Sequence, residues 1–172
     1  MGRNRSLRAN EPAVQIIEAD LTRPAHRRAV GDLINAYAMD PMGDGKALPK
    51  AVRRRLVPAL RRFPTTLIFL AYAGGEAVGI AVCFRGFSTF CARPLINIHD
   101  LAVLPAHRGR GIGRRLLAAV VRKARATGCC RVTLEVQENN RRARRVYEAA
   151  GFAQAHYQAA AGGSLFYMKK LR

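Results

Sequence analysis

Residues 95–128, LINIHDLAVLPAHRGRGIGRRLLAAVVRKARATG, read as a strand, a tight glycine-rich turn and a helix in immediate succession. Ile96, Ile98, Leu101 and Val103 are strand-type residues, and Pro105 stops the strand. A helical period then begins, with Ile112, Leu116, Ala119, Val120 and Ala124 on one face. Arg114, Arg115, Arg122 and Arg125 fall mostly off that face, and Gly128 ends the helix. Together with the other strands and helices of the chain, this unit argues for an α/β architecture.

The turn between them, Arg108-Gly-Arg-Gly-Ile-Gly113, has the chemistry of a phosphate site. The first N–H groups of a helix lack internal partners, and the helix dipole adds positive potential there. Gly109, Gly111 and Gly113 let the backbone approach a bulky anion without a Cβ in the way. Arg108, Arg110 and Arg114 supply charge. The spacing is GxGxG rather than GxGxxG, and no Lys-Ser/Thr pair follows, so neither common nucleotide fingerprint is present. Taken alone, the turn is equally a basic strand–helix junction.

Arg108-x-x-Gly111-x-Gly113 after a strand resembles the pyrophosphate-binding turn of the GNAT superfamily, the acyl-coenzyme-A-dependent N-acyltransferases. The similarity runs from Leu95 to Phe152. It takes in the preceding DLAVLP, then Leu134-Glu-Val136 and the pattern N-x-x-A-x-x-x-Y-E-x-x-GF that starts at Asn140. The first half of the chain fits that family only by element order. The resemblance implies an N-acetyltransferase that uses acetyl-CoA by direct transfer to a primary amine, on a small molecule or on a protein N-terminus or lysine. It also implies a central strand that carries a bulge and diverges from the strand after its helix, leaving a V-shaped gap for the acyl-CoA arm.

Acyl transfer from a thioester to an amine has three needs: the amine must lose a proton, the oxyanion must be held, and the departing thiolate gains from a proton. By resemblance Tyr147, seven residues after Asn140, is the acid for the coenzyme A sulfur. Its position on the apolar face of its helix equally suits a core residue. Glu135, twelve residues before Tyr147, is the first candidate for the base, since the similar ribosomal-protein N-terminal acetyltransferases use a glutamate there. An ion pair with a neighbouring arginine is the other reading of Glu135. His99 and Asp100 are rivals, as polar residues on the central strand that a bulge would turn toward the cleft. The resemblance assigns cofactor contacts to the backbone of Leu101, Ala102 and Val103, to Arg108, Gly109, Arg110, Gly111, Gly113 and Arg114 of the turn, and to Asn140. Helix capping alone also accounts for Asn140.

The rest of the chain reads as strand 14–19, helices 24–38 and 49–63, strands 65–73 and 76–84 around Gly74-Gly75, and a connecting loop 86–94. After the central unit come strand 131–137, a helix capped by Asn139 or Asn140, and strands 152–158 and 164–171. The expectation is an α/β three-layer sandwich around a mixed, mostly antiparallel sheet of about seven strands with about four helices, in the order β-α-α-β-β-β-α-β-α-β-β. Residues 1–12 read as a disordered basic tail, and 13–172 as one domain.

Net charge is +19, and 25 of the 30 basic residues are arginine. Such a charge attracts anions: coenzyme A, nucleic acid or ribosomes. The arginines are spread over the tail and every predicted helix rather than gathered into one tract, which reads equally as a bias of composition and argues against a specific nucleic-acid partner. A non-catalytic module that binds acyl-CoA, RNA or ribosomes is the alternative class, and a homodimer is left open. No apolar run reaches the ~20 residues of a membrane span, and the first residues lack the apolar stretch of a signal peptide, so the expected compartment is the cytoplasm. Cys83, Cys91, Cys129 and Cys130 lack CxxC spacing and read as small, mostly buried thiols. The four histidines are scattered, with no metal-ligand spacing, and no GxSxG elbow occurs.

Overall fold

The computed structural model of the chain describes residues 13–155 and 167–169. Its elements are β1 (Val14–Glu18), α1 (Pro24–Ala38), α2 (Lys50–Arg62), β2 (Thr66–Ala73), β3 (Glu76–Ser88), β4 (Arg93–Val103), a 3₁₀ turn (Pro105–His107), α3 (Ile112–Ala126), β5 (Val132–Leu134) and α4 (Arg141–Ala149). The strands form one sheet in the order β1-β2-β3-β4-β5, antiparallel throughout except for the parallel β4–β5 pair.

Three layers result. On one face Ile112, Leu116, Ala119, Val120 and Ala124 of α3 pack on Phe69, Ala81, Ile96 and Ile98. On the other, Val30, Leu33 and Ile34 of α1 and Val57 of α2 cover Ile68, Leu70, Ile80 and Val82. Each Val, Leu, Ile or Phe side chain so taken from water contributes about 1.5–3 kcal/mol. Alternation along β2 and β3 feeds both layers, which is why these strands are nearly continuous apolar runs.

The structure departs from the expectations in four places. Five strands, not about seven, are present among the described residues. Residues 152–155 form no strand, while 156–158, most of 164–171 and the tail 1–12 lie outside the described residues. The strand expected over 131–137 stops at Leu134, because its partner β4 bends away at that level. The loop expected over 86–94 is instead the end of a long β3–β4 hairpin, with Phe87 opposite Pro94 and Ser88 opposite Arg93. Proline is tolerated there because the Pro94 carbonyl points outward, to the N–H of Cys130 at 2.8 Å. The side of Pro94 that lacks an N–H therefore faces away from β3, and no ladder bond is lost. Of the four thiols only Cys83 is buried; Cys129 and Cys130 are half-buried and Cys91 is exposed. No helix among the described residues is long and apolar enough to cross a membrane.

Candidate active site

In the β3–β4 ladder Val82 lies opposite Asp100 and Cys83 opposite Ile98, so His99 is an extra residue and β4 carries a bulge there. Ile96 and Ile98 face the α3 layer before it, and Leu101 and Val103 face that layer after it. His99 and Asp100 are therefore both turned from that layer. The parallel ladder to β5 covers only Ile96–Ile98 against Val132–Leu134. Asn97 Nδ2 donates to Thr133 Oγ1 at 3.1 Å and pins its middle rung. Pairing thus ends at the residue before the bulge. A bulge bends its strand and raises its twist, so β4 leaves β5 and a cleft of about 780 Å³ opens between them. Leu101, Ala102 and Val103 form one wall, Glu135 and Gln137 the other, and α4 brings Val146 and Tyr147 to its side.

The glycine turn closes one end. Gly109 and Gly111 have φ of 78° and 74°, a region that favours glycine. The first helical bond of α3 runs from Arg115 N–H to Gly111 O at 3.1 Å. The N–H groups of Gly111, Ile112, Gly113 and Arg114 thus precede any partner in the helix. Gly113 is different in kind. It lacks a positive φ, and a Cβ there would meet nothing within 4 Å. A glycine inside a helix costs about 1 kcal/mol relative to alanine, and nothing in the packing of the described residues calls for one at 113. What it leaves is bare backbone on the cleft, which Gly113 lines. Arg110 and Arg114 are exposed on the same turn. Arg108 lines the cleft with its donors engaged: its Nε donates to Val103 O at 2.8 Å, and its guanidinium pairs with Asp40 just after α1. Asn140, rather than Asn139, caps α4 by accepting from Ala143 N–H at 3.1 Å.

Tyr147 is half-buried, with its ring 6.2 Å from that of Phe152. Burial, and then the nearby Tyr37, push its phenol up to about 12. Tyr37, also on the cleft, is raised by burial and by Asp100, Asp40 and Asp44. Glu135 lies exposed just past the end of β5 and lines the cleft. His99 lines it too, exposed, with its ring centre 5.6 Å from that of Phe84 in an edge-on arrangement. Asp100 is half-buried on the α1 side of β4 and is not part of the cleft lining. Burial pushes its carboxyl up, and His99 partly offsets that. Hydrogen bonding from Arg108 holds the Asp40 carboxyl below the usual carboxylate range.

The cleft therefore gathers Tyr147, Glu135, His99, Leu101, Ala102, Val103, Arg108, Gly113 and Asn140. Gly109, Arg110, Gly111 and Arg114 stand on the turn beside it. Tyr37 and Met42 line the cleft too, Tyr37 from the last turn of α1 and Met42 from the loop after it. Among the described residues no group of His, Cys, Asp and Glu gathers as a metal site.

Known proteins give this geometry a context. YhfO of Bacillus subtilis (strain 168), an uncharacterized N-acetyltransferase, is 33% identical over 89 residues, covering 52% of this chain and 60% of that protein. N-alpha-acetyltransferase MAK3 of Arabidopsis thaliana is 36% identical over 89 residues, 52% of this chain and 46% of that protein. The chain thus spans about half the length of these curated relatives. The aminoglycoside N-acetyltransferase AAC(6')-Iy, solved in complex with CoA, superposes with a TM-score of 0.72, covering 96% of this chain and 100% of that one. At 21% identity that likeness is one of fold. The model of the acetyltransferase (GNAT) family matches residues 33–152, a span that runs from α1 through the bulged strand, the glycine turn and α4, and on this match the chain belongs to that family.

Proposed function

We propose that the protein is an N-acetyltransferase that moves the acetyl group of acetyl-CoA directly to a primary amine. The observation that carries this reading is the cleft opened where β4 bulges and leaves β5, with a bare helix start at one end and Tyr147 at its side. Its volume, about 780 Å³, is in the range of small-molecule sites. The residues present fit acetyl-CoA. The donors at the start of α3 and the open backbone at Gly113 suit a pyrophosphate, with Arg110 and Arg114 adding charge. Among the described residues the side of β4 that faced β5 has no strand partner beyond Ile98, so the backbone of Leu101, Ala102 and Val103 suits an amide-bearing arm.

In this reading Glu135 accepts the proton of the attacking amine. A backbone N–H of the 101–103 segment holds the developing oxyanion. Tyr147 gives its proton to the departing thiolate. A phenol pushed up to about 12 is fully protonated near neutral pH, which suits a donor and not a base. His99 is the second candidate for the base, favoured by its exposed ring on the same cleft. The acceptor enters past Tyr37, Asp40 and Met42 and is a small-molecule amine, or a protein N-terminus or lysine.

The test is release of free thiol from acetyl-CoA against a pooled library of amines. Amine-dependent thiol release is expected. Tight coenzyme A binding with no thiol release under any acceptor would make the chain a non-catalytic acyl-CoA-binding module.

A further inference from the structure

The far end of the sheet holds a second chemical site that the acetyltransferase reading does not use. The β3–β4 hairpin turns through Thr89–Ala92, where Ala92 takes a φ of 46° and Cys91 is exposed. The N–H of Cys91 is 3.4 Å from Ser88 Oγ. The connection from α3 to β5 runs beside this turn. Cys130 N–H donates to Pro94 O at 2.8 Å, and Arg93 reaches back to Gly128 O at 3.0 Å. From that connection Arg131 extends across the hairpin, donating to Ser88 Oγ at 2.7 Å and to Cys91 Sγ at 3.3 Å. Cys130 directly precedes Arg131, and its thiol lies within electrostatic reach of both the Cys91 thiol and the Arg131 guanidinium. Two thiols and a guanidinium thus meet at the surface. None of them lines the cleft, which along β4 begins at Ile98, five residues or roughly 17 Å of strand from Arg93.

The other thiols show what is particular here. Cys83 is buried in the sheet, and burial drives its thiol up to about 12, where it is inert. Cys129 packs against the α3 core and touches Thr127 Oγ1 at 3.4 Å. Hydrogen bonds from Ser88, then Arg131, then Cys130 lower the Cys91 thiol below its ordinary value. An exposed thiol beside a cation is the setting of reactive cysteines, and a second thiol in reach can resolve the first adduct.

We propose that Cys91 and Cys130 form a dithiol modification site that reacts with anionic low-molecular-weight disulfides, guided by Arg131, and closes to a Cys91–Cys130 disulfide. In the first step the Cys91 thiolate forms a bond to one sulfur of the small disulfide. The small disulfide's own S–S bond breaks, and one thiolate leaves and takes a proton from water. In the second step Cys130 loses its proton and attacks the Cys91 sulfur, and the second small thiol departs. Two protein thiols are oxidised by two electrons, and one small disulfide is reduced to two thiols. This site does not depend on the acetyltransferase reading.

The experiment treats the full chain with glutathione disulfide and maps the products by peptide mass spectrometry. The expected wild-type product is a peptide pair joined through Cys91 and Cys130. Cys130→Ser should stop at glutathione on Cys91, and Cys91→Ser should leave Cys130 largely unmodified. Cys129→Ser should behave as wild type. Arg131→Gln should slow the first step by about three- to tenfold, through loss of thiolate and of attraction for the anion. The same order should hold for alkylation by iodoacetamide under native conditions, with Cys91 fastest. Glutathione that stays on wild-type Cys91 without closure, closure through Cys129, or alkylation of Cys91 no faster than of Cys129 would each overturn the proposal.

Discussion

Arg108 and Asp40 join the glycine turn to the segment after α1: the guanidinium of one pairs with the carboxylate of the other, while its Nε holds the carbonyl that ends β4. The pair is partly shielded, with side-chain exposures of 27% and 10%, so it lies between a surface and a buried ion pair. Its worth is on the order of 1 kcal/mol. The sign of its pH dependence follows from Asp40, whose carboxyl is held low in the folded protein. The contribution is complete above the unfolded value of about 3.9 and fades as pH falls through the lower folded value. Asp40→Asn should therefore lower Tm at pH 7, and the gap to wild type should narrow once the pH is well below 4. Thermal unfolding at a series of pH values checks this; a gap unchanged between pH 7 and strongly acid solution would refute it.

Gly113→Ala separates stability from binding. The backbone there is ordinary and the space is open, so the methyl group harms nothing in the protein and adds helix propensity worth up to about 1 kcal/mol. Tm should hold or rise. Acetyl-CoA affinity should fall at least about tenfold, or ~1.4 kcal/mol, because the methyl stands where the pyrophosphate would approach. Calorimetry that shows wild-type affinity in the variant would remove the turn from the binding site.

Tyr147→Phe removes one hydroxyl and little volume. The ring keeps its place against Phe152, so folding and the KM for acetyl-CoA should survive. The rate should fall by about ten- to a thousandfold, in or near the range of acid–base groups. Because burial keeps the phenol protonated to about pH 12, no alkaline limb from Tyr147 is expected between pH 7 and 10. Full kcat in the variant, with chemistry shown to limit the rate, would make Tyr147 a core tyrosine alone.

Glu135 and His99 are told apart by the acid side of the pH–rate profile. Glu135→Gln should abolish the rise of rate with pH on that side, since an amide cannot take the amine proton. His99→Gln should leave the limb in place. The reverse result assigns the base to His99 on the bulge.

Much of this geometry is legible in the residues themselves. The 3.6-residue period of Ile112, Leu116, Ala119, Val120 and Ala124 marks α3, and α1 spans Pro24–Ala38 as its period and Pro24 predict. The helix boundaries follow from one-dimensional patterns. The end of β5 does not, because Glu135-Val136-Gln137 still alternates like a strand and only the bend of β4 removes its partner. Phe87 to Pro94 carries the composition of a loop, and only the outward carbonyl of Pro94 reconciles it with a hairpin. Tyr37 reads as core by its period in α1, because the cleft that it also lines is made by other strands. Long-range pairing decided each of these three cases, and no local pattern records it.

The extra residue at 99 divides β4 into two halves that count differently. Before it, even-numbered positions, Ile96 and Ile98, face α3; after it, odd-numbered positions, Leu101 and Val103, do so. Deleting one residue from this stretch would exchange the two sets of side chains on one side of the gap and send apolar groups to the wrong layer. The length of β4 is therefore more tightly bound than its composition. A residue gained or lost in the tip around residues 89–92 would instead fall past the end of the sheet and alter no register.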